Sequence, residues 1–151
     1  MIKPPLHILL IEDNDEDRAD LRQMLLQGGN HRYIFSEAKL GAVGVQMVLN
    51  PQHEHYDCVL VDYDLPDMDA PVIIFAMCNG NDMPPIPVVV ITGVEVNEGQ
   101  KLLSAGAQDF IGKSWTAPES LTRAVENAIE RFKLLSERQH AEELIRASVM
   151  V

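Results

Sequence analysis

Five short runs of branched aliphatic and aromatic residues recur along the chain: His7 to Ile11, Arg32 to Ser36, Asp57 to Val61, Pro87 to Ile91 and Gln108 to Ile111. Three of them are nearly continuous apolar sequence, without the in-out alternation of a half-exposed strand. They predict central strands covered on both faces. The stretches between are patterned for helices. Asn14 is placed to cap a helix over Asp15 to Leu26, whose acidic first turn suits the positive end of the helix dipole, and Gly28-Gly29 predicts its stop. Leu40 to Leu49 sets Val45, Val48 and Leu49 at helical spacing ahead of Pro51. Pro71 suits a first helical position and opens Val72 to Met77. Asn97 is placed to cap Glu98 to Ala105, with Gly106 as terminator. The last helix begins near Pro118 and meets no evident stop. Strands separated by helices of this length imply parallel pairing through right-handed crossovers, and so a three-layer α/β sandwich.

Composition narrows the function classes. With 151 residues, 46% of them hydrophobic and 23% charged, the chain has the length and balance of one domain with a real core. The formal net charge of −11 argues against nonspecific attraction to nucleic acid or to an anionic membrane, and favours tolerance of a bound cation. Cys58 and Cys78 sit in apolar surroundings without a CxxC pattern, as buried small hydrophobes of a reducing compartment would. The start, MIKPPLHILLIED, has an apolar run too short for a signal sequence or a membrane span. A cytoplasmic protein is expected. The five histidines, His53 and His55 among them, show no metal-binding spacing and are expected in solvated loops.

In open parallel sheets ligands bind at the carboxyl ends of the strands, near the point where chain order reverses. The residues just beyond the predicted strand ends are Glu12 and Asp13, then Asp62, then Thr92, then Lys113. Carboxylates crowded at one edge repel one another unless protons, a lysine or a metal compensate. A hard divalent cation fits, and Mg²⁺ favours one or two carboxylates, several waters and a phosphate oxygen. These are the parts of a phosphoryl-transfer site. Asp62 would attack phosphorus and form an aspartyl phosphate, Mg²⁺ and Lys113 would neutralise the equatorial oxygens, and Thr92 would hydrogen-bond one of them.

The segments HILLIEDNDED, VLVDYDLPDMD, VVVITG and AGAQDFIGKS, in this order, resemble the receiver domain of two-component response regulators over roughly residues 6 to 135. The resemblance implies a flavodoxin-like fold with a five-stranded parallel sheet in the order 2-1-3-4-5. It matches Asp62 to the phosphoacceptor and Glu12 and Asp13 to the acidic metal-binding pair. It matches Asp64 to the residue that lends a backbone carbonyl to Mg²⁺, Thr92 and Lys113 to the phosphate-sensing pair, and Phe110 to the aromatic that swings inward with the threonine. It further implies a sensor histidine kinase or phosphotransfer protein as partner, and signalling through the surface of the fourth helix, fifth strand and fifth helix. The sequence departs from the pattern at Ser114, where the family usually has a cis proline, at Ala70, where glycine is common, at Gly93 beside Thr92, and at Asp64, an acid beside the path of attacking water. A non-proline cis bond costs about 3 kcal/mol, so a trans Lys113–Ser114 bond or visible strain is expected.

Two other readings share these residues. DYDLPD after a strand is similar to the nucleophile loop of haloacid-dehalogenase-type phosphatases, with Asp62 attacking and Asp64 as acid and base. In that family, however, the nucleophile strand usually comes first and the metal acids last. The second is a receiver-like module that binds partners without phosphorylation. The tail adds a separate expectation. Leu121, Val125, Ala128, Phe132 and Leu135 form one helical stripe, expected to pack on the sheet, and Ala141, Leu144, Ile145 and Ser148 form another with nothing left to cover. Residues 1–135 are therefore expected as the receiver domain. Residues 136–151 are expected as a helical extension that pairs with a second copy as a parallel coiled coil, or connects to an effector module beyond this chain.

Overall fold

The computed structural model describes residues 3–29, 31–52, 55–93 and 96–149. Five strands alternate with five helices: β1 (Leu6–Ile11), α1 (Asp15–Gly28), β2 (Tyr33–Ala38), α2 (Gly41–Leu49), β3 (Cys58–Asp62), α3 (Ala70–Cys78), β4 (Val88–Thr92), α4 (Val96–Ala105), β5 (Asp109–Gly112) and α5 (Pro118–Val149). All pairings are parallel, and the sheet order is β2-β1-β3-β4-β5. This is the flavodoxin-like arrangement expected from the resemblance.

The apolar runs are continuous because both faces of the sheet are covered. Successive side chains of a strand point to opposite faces. Leu9 and Ile11 accordingly pack with Val59, Val61 and Val90 against Ile73, Ile74 and Met77 of α3 and Leu102 of α4. Ile8 and Leu10 pack with Leu60 and Val89 against Leu21 and Leu25 of α1 and Leu121 and Val125 of α5. Fully burying one such side chain is worth about 1.5–3 kcal/mol, so the two clusters supply most of the driving force for the sandwich.

Several element boundaries fall away from their predicted places, each for a local reason. β2 runs on to Ala38 because its last residues still pair with β1, Leu10 opposite Glu37 and Ile11 opposite Ala38. β3 and β4 keep their five residues but each shifts one residue along the chain, so that Asp62 pairs opposite Ile91 and Thr92 opposite Gly112. α1 is capped as predicted, Asn14 accepting the Asp17 N–H at 2.9 Å, but it continues through Gly28. A Cβ there would lie 2.2 Å from the Pro118 carbonyl oxygen, so Gly28 also serves close packing against α5, while the helix stops at the predicted glycine pair with Gly29 as its C-cap. α3 opens at Ala70, one residue ahead of Pro71, with Asp69 as its cap, accepting the Val72 N–H at 3.2 Å. α4 opens at Val96, so Asn97 lies inside the helix and not at its cap; the preceding residue falls outside those described. Gly106, at φ 121°, follows α4 as expected. His53 also lies outside the described residues, whereas His55 is exposed, 3.6 Å from Asp57.

The fifth helix has 32 residues. A strand of five residues rises about 17 Å, which a helix covers in about eleven residues. Pro118 to Ala128 is such a length, and Leu121, Ala124, Val125 and Ala128 are the buried positions of α5 on the core. The predicted first stripe therefore ends early: Phe132 is half-buried and Leu135 is exposed, because the helix has already passed the edge of the sheet. The rest continues unbroken across residues 135 and 136, leaving Leu144 59% and Ile145 63% exposed. No helix among the described residues is long and apolar enough to cross a membrane.

α2 lacks a side-chain cap of its own, since Leu40 occupies the cap position. Asp67, from the loop after β3, fills that role from a distance: its two carboxylate oxygens accept the Gly41 and Ala42 N–H groups, each at 2.9 Å. These bonds hold the Asp67 carboxyl below its ordinary value, that to Ala42 most strongly, then that to Gly41. The stabilisation is therefore present above the unfolded pKa, near 3.9, and is lost as pH falls through the lower folded value. Asp67→Ala is expected to lower the unfolding free energy by about 1 kcal/mol at pH 7, and by less at pH about 2, as measured by denaturant melts at both pH values.

Candidate functional site

Each site residue stands where a strand ends. Glu12 follows β1 directly, and its N–H bonds the Ala38 carbonyl at 3.0 Å, so the backbone is fixed at the point where the acidic pair begins. Asp62 closes β3 and Thr92 closes β4, while Lys113 follows β5. The 2-1-3-4-5 order puts β1, β3, β4 and β5 side by side. These four strand ends therefore open onto one edge.

Glu12 and Asp62 are each 5% exposed and Thr92 1%, while Asp13 is exposed. One carboxylate oxygen from each of Glu12, Asp13 and Asp62 lies within 4.8 Å of the other two. Lys113 reaches them from the far side, its Nζ 3.0 Å from Asp62 Oδ1. Burial and charge at this density shift Glu12, Asp62 and Lys113. Burial pushes the Glu12 carboxyl up to about 7; the Asn14 N–H opposes this at 3.1 Å, and repulsion from Asp62, a side-chain hydrogen bond with Asp13 and repulsion from Asp13 add to it. Burial likewise raises Asp62, against the pull of Lys113 and with further repulsion from Asp13 and Asp64. Burial alone would lower Lys113, but its pairing with Asp62 outweighs that and holds the ammonium above its ordinary value. The set is hard oxygen donors with excess negative charge, which suits Mg²⁺ or a similar divalent cation.

Asp64 is exposed and its carboxylate lies outside the cluster of three acids. Its backbone pairs with Asp69 in an isolated antiparallel bridge, and the Ala70 N–H bonds the Tyr63 carbonyl at 2.9 Å, so the turn after Asp62 is held by its main chain. Ala70 fits there as a fully buried residue, which answers the departure from glycine. Gly93 is exposed, with open space where a Cβ would be. The described residues contain no cis peptide bond, so the Lys113–Ser114 bond is trans. Lys113–Trp115 form a single 3₁₀ turn instead, held by the Thr116 hydroxyl, which donates to the Gly112 carbonyl at 2.9 Å. Phe110 packs inward against the core beneath α4. Its ring occupies the space a side chain at residue 99 would need: a Cβ on Gly99 would lie 2.2 Å from Phe110 Cζ.

Arg18 and Asp67 contribute to this edge in roles that the sequence alone did not assign to them. Asp67 gave no local signal, since the helix it caps lies 25 residues away in the chain. Arg18 did give one: it stands at helical spacing with Leu21 and Leu25 on the buried face of α1.

Residues 8–126 match the family model described as the response regulator receiver domain. The chain is 29% identical over 113 residues to the two-component response regulator ORR1 of Oryza sativa subsp. japonica, covering 70% of this chain and 48% of that protein. It is 30% identical over 118 residues to the aerobic respiration control sensor protein ArcB of Escherichia coli, covering 76% of this chain and 14% of that one. The chain thus spans about half the length, or less, of these curated relatives. Among solved structures it resembles a response regulator receiver domain protein of Clostridium thermocellum, with TM-score 0.71, 24% identity and coverage of 86% of this chain and 98% of that one. It also resembles the receiver domain of a sensor histidine kinase of Pseudomonas aeruginosa, solved with a magnesium ion coordinated in the active site cleft, with TM-score 0.68, 22% identity and coverage of 84% and 99%. At these identities the structural likeness speaks for the fold.

A carboxyl that holds its proton to about pH 7 in the folded chain, and releases it near 4.3 when unfolded, makes folding less favourable as pH rises between those values. Without divalent ions, Glu12→Gln is therefore expected to raise the melting temperature at pH 8 and to change it little at pH 5. In the native chain, Mg²⁺ binding is expected to strengthen from pH 6 to pH 8 and to release protons, read by calorimetry in buffers of different ionisation enthalpy.

Proposed function

The chain belongs to the response regulator receiver domain family, and on that premise we propose that it accepts a phosphoryl group on Asp62 from the phosphohistidine of a sensor histidine kinase or phosphotransfer protein. One observation carries the reading. Three acids from two strands, Glu12, Asp13 and Asp62, bring ligand oxygens within 4.8 Å of one another, with the Lys113 ammonium 3.0 Å from Asp62.

An Asp62 carboxylate oxygen attacks phosphorus in line as the phosphorus–nitrogen bond to imidazole breaks. The bonding pair leaves with the imidazole, and the product is an acyl phosphate. Glu12 and Asp13, with the Asp62 carboxylate and the Asp64 backbone carbonyl, are the groups that would hold Mg²⁺, which supplies charge neutralisation to the phosphoryl oxygens. Lys113, already paired with Asp62, moves its ammonium to a phosphoryl oxygen. Thr92 donates its hydroxyl to another. Drawing Thr92 toward the phosphate changes the packing beside Phe110, and the surface of α4, β5 and α5 reports the change. The chain catalyses only its own phosphorylation and slow hydrolysis, which makes it a switch and not a turnover enzyme. We assign it to the cytoplasm, with no direct role for nucleic acid or membrane.

We further propose that residues 1–135 form the receiver unit and that residues 136–151 continue α5 into a homodimeric contact or toward an effector module C-terminal to this chain. The exposed Leu144 and Ile145 support this reading.

Incubation with Mg²⁺ and a small acyl-phosphate donor is expected to add one phosphoryl group, seen by intact mass, and Asp62→Asn is expected to abolish it. Rapid multiple turnover of phosphomonoesters would instead favour the haloacid-dehalogenase-type reading, with Asp64 as acid and base. No acceptance at all would favour a receiver-like binding module. Light scattering is expected to give twice the monomer mass for the full chain and the monomer mass for one ending at Leu135; equal monomeric masses would remove the helical dimer.

A further inference from the structure

Arg18 is 9% exposed, on the face of α1 that buries Leu21 and Leu25. A guanidinium taken out of water must have its donors satisfied, and this one is answered on three sides. Nε contacts Glu37 Oε1 at 2.7 Å, Nη2 contacts Asp15 Oδ1 at 2.6 Å, and Nη1 donates to the backbone carbonyl of Glu12 at 2.9 Å. The last bond is buried. Glu37 is also held by Arg22, and Asp15 by Lys39 at 3.3 Å. The residue after Glu37 is Ala38, whose carbonyl accepts the Glu12 N–H at 3.0 Å. Both backbone groups of Glu12 are thereby tied to the end of β2, one directly and one through Arg18.

This tie opposes a force that the site itself generates. Glu12, Asp13 and Asp62 repel one another, and the turn after β1 would relieve that repulsion by swinging Glu12 and Asp13 away from Asp62. The ladder bond to Ala38 alone is a single pivot. A second bond, at the Glu12 carbonyl, stops rotation about it.

We propose that Arg18 is a positioning residue that clamps the turn carrying Glu12 and Asp13 to the end of β2, so that the acids are preorganised for a divalent cation before it arrives. The proposal rests on the reading of this edge as a Mg²⁺ site. It does not require that Asp62 be phosphorylated. Planar fork geometry is what lets one side chain serve a carbonyl and two carboxylates at once, and an ammonium has no such fork. Groups that orient metal ligands from behind typically contribute about 10- to 100-fold in metal affinity.

The full chain is compared with Arg18→Met, Arg18→Lys and Glu37→Gln by three measurements: the Mg²⁺ dissociation constant from calorimetry, the melting temperature, and hydrogen exchange at the Glu12 amide in the metal-free protein. Arg18→Met is expected to weaken Mg²⁺ binding by about tenfold or more and to speed exchange at Glu12. Arg18→Lys is expected to behave like Arg18→Met, which places the effect in geometry and not in charge. Glu37→Gln, which leaves the bond to the Glu12 carbonyl in place, is expected to lose less. A folded Arg18→Met with lowered melting temperature but unchanged Mg²⁺ affinity overturns the proposal, because the residue would then only anchor α1. Should Arg18→Met fail to fold, unchanged Mg²⁺ affinity in both Arg18→Lys and Glu37→Gln overturns it equally. Phosphoryl acceptance is scored separately on the same samples. Wild type that binds Mg²⁺ without accepting phosphate sinks the role of Asp62, while the contrast in Mg²⁺ affinity among the variants still supports the clamp.

Discussion

Glu12, Asp13 and Asp62 carry like charges at a separation where they repel, and the molecule holds them there by main-chain bonds that the side chains cannot undo. Glu12 is fixed by the strand ladder through Ala38 and by the buried guanidinium of Arg18. Asp62 is fixed as the last paired residue of β3. What the arrangement costs is visible in the raised Glu12 and Asp62 carboxyls. Lys113 offsets part of that cost from the opposite side. A pocket built this way gathers hard oxygen donors that suit a small divalent cation, with the Lys113 ammonium beside one of them.

The loop after β3 shows how similar residues are given different work by their surroundings. Asp62, Asp64 and Asp67 stand within six positions of one another. Asp62 is buried and paired with Lys113 at 3.0 Å. Asp64 leaves its side chain in solvent, and its backbone makes a bridge to Asp69. Asp67 turns away and caps α2, tying the reactive loop to a helix that could not cap itself. β3 ends at Asp62, and in the turn that follows each acid has its own partners. Phe110 packs against the core in space that a side chain at residue 99 would otherwise fill. The packing of α4 and the position of that ring are thus one steric question.

The fifth helix joins two environments. Its first part is core, covering the sheet from Leu121 to Ala128, and the remainder lies beyond the sheet. No break separates them, so torque or translation applied at the exposed end is delivered to the helix that packs on β3, β4 and β5. A rigid rod suits either a contact between copies or a connection to another module.

Much of this was legible in the residues alone. Continuous apolar runs in alternation with helix patterns determine a parallel sheet covered on both faces, because no other arrangement buries both sides of such strands. Chain order at the strand ends then brings Glu12, Asp13, Asp62, Thr92 and Lys113 to one edge. The boundaries that shifted include α1, which runs on to Gly28 where a Cβ would meet Pro118, and α4, which opens at Val96 with Asn97 inside it. Only the tertiary structure decided how far α5 stays buried, since that depends on the length of the strands beside it. It alone assigned Asp67 to α2 and Arg18 to the Glu12 carbonyl. A residue's preference for a helix or a strand is written in its neighbours along the chain, whereas the partner of a buried charge is whichever group the fold delivers within hydrogen-bond reach.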